Sequence, residues 1–117
     1  MKIVILTTET LHHTYFVQKI CKIHSVKKVL IEKDVLHAKF ETHHPFEDLR
    51  EKYEKKNFFN NKNVMLKDVS DAFETKNVNE PSAISFLKDL SPDIMISFGT
   101  GKISKEVIQI CKEGIIK

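Results

Sequence analysis

Two short polar segments each follow an apolar run and carry residue types that bind ligands at the edge of a sheet. The segment 7–10 (TTET) follows the run KIVIL and offers hydroxyls, backbone N–H groups and the start of a helix to an anion. The segment 99–102 (GTGK) follows the run DIMISF, and its two glycines let the backbone approach a flat ligand closely. Because ligands of open parallel sheets bind outside the carboxyl ends of the strands, these segments form the candidate site.

Both segments also have simpler structural explanations, which the sequence leaves open. Thr8 or Thr10 is a suitable N-cap for the helix that follows. A single Gly-x-Gly after a strand is most often only a turn. GTGK is not the dinucleotide-binding fingerprint, because a third glycine is missing and the segment follows the fourth predicted strand rather than the first.

The six histidines raise the question of a metal site. Four of them form adjacent pairs, at 12–13 and 43–44, but neighbouring helical residues point about 100° apart, and no acid or cysteine stands beside them at zinc-ligand spacing. We therefore expect no metal, and we expect His12 or His13 to contact a polar ligand. Cys21 and Cys111 fall on apolar helical faces, so inert thiols are expected rather than nucleophiles.

The elements that must position these residues alternate between strand and helix. Compact β-branched runs predict strands buried on both faces, and 3.6-residue apolar periods predict helices between them. This alternation is typical of a parallel sheet, so we expect an α/β fold with an open parallel sheet of about five strands and flanking helices. The predicted strands are 2–6, 27–32, one near 72–78, 93–98 and one from 115, and the predicted helices are 11–24, 45–56, 79–91 and 104–113, with a short helical turn after 64.

Two helices allow a more detailed prediction. In the first, Leu11, Tyr15, Phe16, Ile20 and Ile23 share one stripe, which we expect to face the sheet. In the helix that contains Pro81, Asn79 is the expected N-cap and Ala83, Phe86, Leu87 and Leu90 are the expected buried positions. We also expect Ser104 to cap the last helix.

Composition excludes several classes of protein. The chain has 117 residues, enough for one domain, and 41% are hydrophobic and 30% charged, as in ordinary globular proteins. No apolar run approaches the roughly 20 residues that span a bilayer, and the start is too short for a secretory signal. Two distant cysteines favour a reduced, cytoplasmic protein. The net charge of +3 comes from dispersed lysines, which do not form a nucleic-acid footprint.

With this order of elements in view, the chain resembles the N-terminal part of the folate-dependent formyltransferase family. The resemblance rests on KIVILTTET at the start and on PDIMISFGTGKISKEVI and GII near the end, and it covers essentially residues 1–117. HHTYF and FETHHPFE are similar to the subgroup that acts on amino sugars or other small amines. The family implies a Rossmann-like sheet and transfer of a formyl group from 10-formyltetrahydrofolate, the cosubstrate, to a primary amine.

The resemblance also implies roles for particular residues. The backbone of Gly101, Lys102 and Ile103, together with Gly99, would receive the pterin ring of the folate. The residues facing the amine substrate would be Thr7, Thr8, Glu9, Thr10, His12 and His13. An amino-sugar nucleotide is the favoured acceptor, with phosphoribosyl glycinamide and methionyl-tRNA as alternatives. The tRNA ranks lower because the lysines are dispersed along the sequence and do not predict a continuous basic surface for its phosphates.

The family's catalytic motif, an asparagine followed two residues later by a histidine, comes directly after the GII strand, and an aspartate follows further on. Lys117 stands where that motif would begin, so we expect these 117 residues to be inactive alone, with self-association through the exposed fifth strand. The alternative is a non-catalytic α/β module that binds a nucleotide or a partner protein. In that case the last helix and Gly114 would have to close the fold.

Overall fold

The central strand of the sheet is β1 (Ile3–Thr7), an IVILT run whose five residues are all buried. The computed structural model describes residues 2–33, 64–111 and 114–116, together with residues 49, 52–53 and 56–57. Within these ranges the strands are β1, β2 (Val26–Glu32), β3 (Ala72–Thr75), β4 (Ile94–Ser97) and β5 (Ile115–Ile116). The helices are α1 (Leu11–Ile23), α2 (Leu66–Val69), α3 (Pro81–Leu90) and α4 (Lys105–Ile110).

All described strand pairs are parallel, and the strand order is β3-β2-β1-β4-β5. The chain therefore moves outward from β1 in one direction through β2 and β3, and then returns to place β4 and β5 on the other side of β1. The order reverses between β1 and β4, which is the topological switch point of a doubly wound sheet. The expected α/β fold with an open, Rossmann-like parallel sheet of five strands is confirmed.

Each face of the sheet has its own apolar core. On one face, Val4 and Leu6 of β1 and Met95 of β4 pack with α3 and α4, whose buried residues include Leu87 and Val107. On the other face, the core joins the sheet to α1 and α2, and its buried members are Ile5, Val17, Val29, Ile31 and Leu66. Both faces of β1 and β2 are thus covered, as their uninterrupted apolar sequences predict.

The prediction for the buried face of α1 was only partly correct: Ile20 packs against the core, but two other members of the predicted stripe are exposed. Thr14 and Val17 are the buried residues of α1, whereas Phe16 is 47% and Ile23 75% exposed. A threonine can be buried here because its hydroxyl donates to the Thr10 carbonyl at 2.8 Å. A hydroxyl that is hydrogen-bonded costs little free energy in a core, so Thr14 can face the sheet. The spacing of apolar residues alone therefore does not identify the buried face of α1.

The last two helices follow the sequence more closely. Ser104 caps α4, because its hydroxyl accepts from the Val107 N–H at 3.3 Å. Ala83, Ile84 and Leu87 are the buried residues of α3.

The N-cap of α3 was wrongly assigned. It is Glu80 rather than Asn79, with proline at the first helical position. The Asn79 side chain is instead bonded to the segment before α4, where its amide reaches the Lys102 carbonyl.

The predicted helix 45–56 lies mostly outside the described residues. Those that are described, 49, 52–53 and 56–57, are helical. In the part of the chain described, no helix is long and apolar enough to cross a membrane.

Candidate functional site

The two candidate segments meet at the switch point between β1 and β4. The Thr8 hydroxyl donates to the Gly99 carbonyl at 3.1 Å, across 91 residues of sequence. The parallel pairing of β1 with β4 produces this contact, because it brings the carboxyl ends of both strands to the same edge. The segments after the first and fourth strands, which the sequence analysis singled out separately, are therefore in direct contact.

The His13 ring lies between these segments and packs against Gly99. Its Nδ1 atom is 3.0 Å from the Thr8 carbonyl oxygen and 3.2 Å from the Thr8 hydroxyl. A proton on Nδ1 satisfies these distances, because Nδ1–H then donates to the carbonyl while the hydroxyl donates to Gly99. We assign that tautomer from the hydrogen-bond network.

Both the backbone conformation and the packing of His13 require glycine at position 99. Its φ is +75°, a conformation that side chains disfavour, and a Cβ atom added there would stand 2.1 Å from Cε1 of His13. The close approach that the sequence predicted at Gly99 is thus already made by the protein's own imidazole. The ring also meets Phe98 edge-on, with centroids 5.2 Å apart.

Residues 97–103 line a surface hollow of about 320 Å³ directly after β4. Its floor carries a pair of hydroxyls, because Oγ of Ser97 and Oγ1 of Thr100 lie 2.9 Å apart. The Ile103 side chain is buried in the core beneath, which anchors the far end of the hollow. A hollow of this kind, with an apolar anchor and a wall of backbone and hydroxyl groups, suits a small polar ligand.

Glu32, a residue that sequence reasoning missed, shapes this hollow from below. It ends β2 and is only 4% exposed. One of its carboxylate oxygens accepts from the Gly101 N–H and the other from the Val78 N–H, each at 3.0 Å. The available signal was a single acid that ends the buried run VLIE, at the carboxyl edge where sites form.

Asn79 holds the same segment from the side. Its amide group donates to the Lys102 carbonyl at 2.7 Å, and its amide oxygen accepts from the Ser104 N–H at 2.8 Å. The Gly101 N–H and the Lys102 carbonyl are therefore engaged within the protein. Among the described residues, no acceptor is bonded to the N–H groups of Lys102 and Ile103.

The TTET segment is largely engaged in folding the start of α1. Thr10 is the N-cap, and its hydroxyl accepts from the His13 N–H at 3.1 Å. The Glu9 carboxylate accepts from the Leu66 N–H at 3.1 Å and so ties α2 to this edge. The capping role that the sequence left open for Thr10 is confirmed.

The two remaining predicted substrate residues differ in exposure. Thr7 is fully buried at the end of β1, and its hydroxyl is 3.4 Å from the Thr8 carbonyl oxygen. His12 is exposed, and its Nδ1 atom is 3.4 Å from the Thr10 hydroxyl. Phe98, which contacts His13, also contacts Phe16 edge-on, with ring centroids 4.6 Å apart.

Other chemistry finds little support in the described ranges. They contain no group of three or more histidine, cysteine or acidic side chains that could hold a metal ion. The pair His43 and His44 lies outside them. Both cysteines are unpaired, Cys111 is buried, and burial raises the pKa of the Cys21 thiol, which disfavours the reactive thiolate.

The fold and the position of the hollow define an α/β protein with a candidate ligand site at the switch point of a parallel sheet. Comparison with known proteins adds nothing to this description, since no protein-family model and no curated protein matches the chain.

Proposed function

We propose that this chain binds the folate cosubstrate of a formyltransferase. The reaction is the transfer of a formyl group from 10-formyltetrahydrofolate to a primary amine, with an amino-sugar nucleotide as the favoured acceptor. The observation that carries the proposal is the hollow lined by residues 97–103, which lies at the switch point and joins the TTET segment through the Thr8–Gly99 hydrogen bond.

In this proposal the two segments bind the two substrates. The backbone of residues 99–103 holds the folate's flat ring, for which the N–H groups of Lys102 and Ile103 are suitably placed donors. The amine substrate lies on the side of Thr8, His12 and His13, so its nitrogen can approach a formyl group at the junction of the segments. The engaged Thr10 and Glu9 then support the site by holding α1 and α2.

The chemistry of formyl transfer explains why we expect binding without turnover from these residues. The amine attacks the formyl carbon, the resulting tetrahedral oxyanion needs a hydrogen-bond donor, and the amine must lose a proton. The Asn-x-His motif that supplies these functions in the family has no counterpart in the 117 residues. The absence of a donor and a base together lowers the rate by several orders of magnitude.

We propose small molecules as the main partners and the cytoplasm as the location, which suits two unpaired cysteines. A second copy of the chain is a further proposed partner at β5, the edge of the described sheet, where Ile116 is 54% exposed.

Isothermal titration with 5-formyltetrahydrofolate, a stable isomer of the cosubstrate, tests the proposal against a panel of nucleotides and nucleotide sugars. We expect saturable binding of one folate per chain. Thr100→Phe, which fills the hollow, should abolish that binding. A matched control is Gln109→Phe, which fills a separate hollow of about 280 Å³ beside α4 and should leave folate binding intact.

Two results would contradict the proposal: no folate binding by the folded chain, or folate binding that Thr100→Phe leaves unchanged. Nucleotide binding without a folate response would instead support the alternative, a non-catalytic nucleotide-binding module. That alternative draws on the same switch point, which is where doubly wound sheets bind nucleotides.

A further inference from the structure

We infer that Glu32 and Asn79 form a clamp that holds segment 99–104 in its ligand-binding shape before any ligand arrives. The inference deepens the proposed folate site and rests on that function only for the identity of the ligand. Neither residue lines the hollow. Both act on it through the backbone groups of residues 101, 102 and 104, so both are positioning residues.

The Glu32 half of the clamp joins three parts of the chain that are distant in sequence. Glu32 ends β2, and its carboxylate binds one N–H that is 46 residues away and another that is 69 residues away. Burial makes these bonds consequential, because a carboxylate removed from water depends on the donors that replace it. A neutral or shorter side chain at this position would leave at least one N–H group unsatisfied.

The Asn79 half depends on the first. Val78, whose N–H binds Glu32, directly precedes Asn79, so the carboxylate also fixes the chain from which the Asn79 side chain reaches out. The asparagine amide then bonds on both sides of Ile103, to the Lys102 carbonyl and to the Ser104 N–H. The Lys102 and Ile103 N–H groups, which we propose as ligand donors, thus lie inside a span that is bonded at 101, 102 and 104.

Two other carboxylates at this edge of the sheet bind backbone N–H groups, but not those of the segment that lines the hollow. Glu9 binds the start of α2, and Glu80 binds the Thr75 hydroxyl and the Lys76 N–H at 3.1 Å. Neither bonds to residues 97–103. Glu80 is therefore a matched control for Glu32: it is also an acid that ties a loop at the same edge, and it lies two residues from Val78.

A clamp of this kind raises affinity by holding the backbone donors in place, since a ligand need not order the segment when it binds. We therefore expect Glu32→Gln to weaken 5-formyltetrahydrofolate binding by roughly tenfold to a hundredfold, the range for losing a hydrogen bond to a charged group. Amide hydrogen exchange at Gly101 and Val78, measured by NMR, should become at least about tenfold faster. Exchange at Ile5 in β1 reports unfolding of the whole sheet, so we expect it to become faster by a smaller factor than exchange at Gly101.

Glu80→Gln should leave both Gly101 exchange and folate affinity unchanged. Asn79→Ala provides a second test if Glu32→Gln does not fold, because it removes the bonds to residues 102 and 104 from a less buried position. It should weaken folate binding and speed exchange at Ser104 while the thermal melt stays cooperative.

The inference would be overturned if Gly101 in Glu32→Gln exchanged at the wild-type rate. It would also be overturned if Gly101 exchange became faster while the folate affinity stayed unchanged. Equal losses of affinity in Glu32→Gln and Glu80→Gln would also overturn it, by showing a general effect on stability. If the wild-type chain binds no folate, the proposed function fails by itself. The exchange rates at Gly101 and Ser104 then decide alone whether the clamp shapes the segment.

Discussion

Replacing Gly99 with alanine tests whether the contact between the two candidate segments is as close as the structure shows. The new Cβ would lie 2.1 Å from Cε1 and 2.7 Å from Nε2 of His13, so the ring must move. Movement of the ring breaks its hydrogen bond to the Thr8 carbonyl and its edge-on contact with Phe98. The substitution also places a side chain on a backbone whose φ is +75°.

These effects can be summed as an order of magnitude. The left-handed backbone costs about 1–2 kcal/mol, the hydrogen bond about 0.5–1.5 kcal/mol and the aromatic contact about 0.5–1.5 kcal/mol. We therefore expect Gly99→Ala to lower the free energy of unfolding by about 2–5 kcal/mol, a large part of the roughly 5–15 kcal/mol of a typical domain. Urea denaturation measures the change, with the slope against urea expected to stay constant.

Gly114→Ala separates backbone strain from the steric clash. Gly114 has a φ of +98°, further from the left-handed minimum near +57°, yet an added Cβ meets no atom within 4 Å. Its loss of stability should be the strain alone, about 1–2 kcal/mol. In a His13→Ala background the cost of Gly99→Ala should fall to a similar value, and the difference is the coupling energy between the two residues.

The reasoning would be refuted if Gly99→Ala cost no more than Gly114→Ala, or if removing the His13 ring left the cost of Gly99→Ala unchanged.

Two further predictions concern titratable groups. The hydrogen bond from the Thr75 hydroxyl, with smaller contributions from backbone N–H groups, lowers the pKa of Glu80 below its usual 4.5, so its stabilising effect is present above that pH and is lost as the pH falls through the folded-state pKa. Between about pH 5 and pH 3, the free energy of unfolding should therefore fall less in Glu80→Gln than in the wild type, as measured by urea denaturation at several pH values. An equal fall in both proteins would contradict the prediction. Burial raises the pKa of the Cys21 thiol, so its alkylation by iodoacetamide should be slower at pH 8 than that of a free cysteine and should reach half its maximum rate at higher pH. A midpoint at or below that of free cysteine, in a Cys111→Ser background, would show the prediction to be wrong.

The architecture could be predicted because it depends on local patterns that repeat. Uninterrupted apolar runs such as KIVIL, alternating with helical periods, are compatible with few arrangements other than a parallel sheet. The two candidate segments follow from the same logic, since both lie where buried strands end. Ser104 as a cap and Ala83 and Leu87 as buried residues depend on short-range rules that the structure follows.

What the sequence could not predict depends on contacts between distant residues. Glu32 is bonded to an N–H group 69 residues away, and its position at the end of a buried run does not reveal that partner. Asparagine is a common N-cap residue, but the Asn79 side chain instead accepts a hydrogen bond from the Ser104 N–H, directly before α4. Thr14 lies outside the predicted apolar stripe and is nevertheless buried, because its hydroxyl donates to the Thr10 carbonyl.

The pairing of β1 with β4 also determines when the site can form during folding. The Lys2 N–H binds the Asp93 carboxylate across 91 residues, so one edge of the central strand stays unpaired until the chain beyond residue 93 has been made. At synthesis rates of about 5–20 residues per second, that interval lasts roughly 5–20 seconds on the ribosome. Closing so long a loop is entropically costly and makes folding slow. Until β4 pairs with it, β1 has an open apolar edge, to which chaperones can bind. The hollow lined by residues 97–103, which follows β4, is therefore expected among the last features to form.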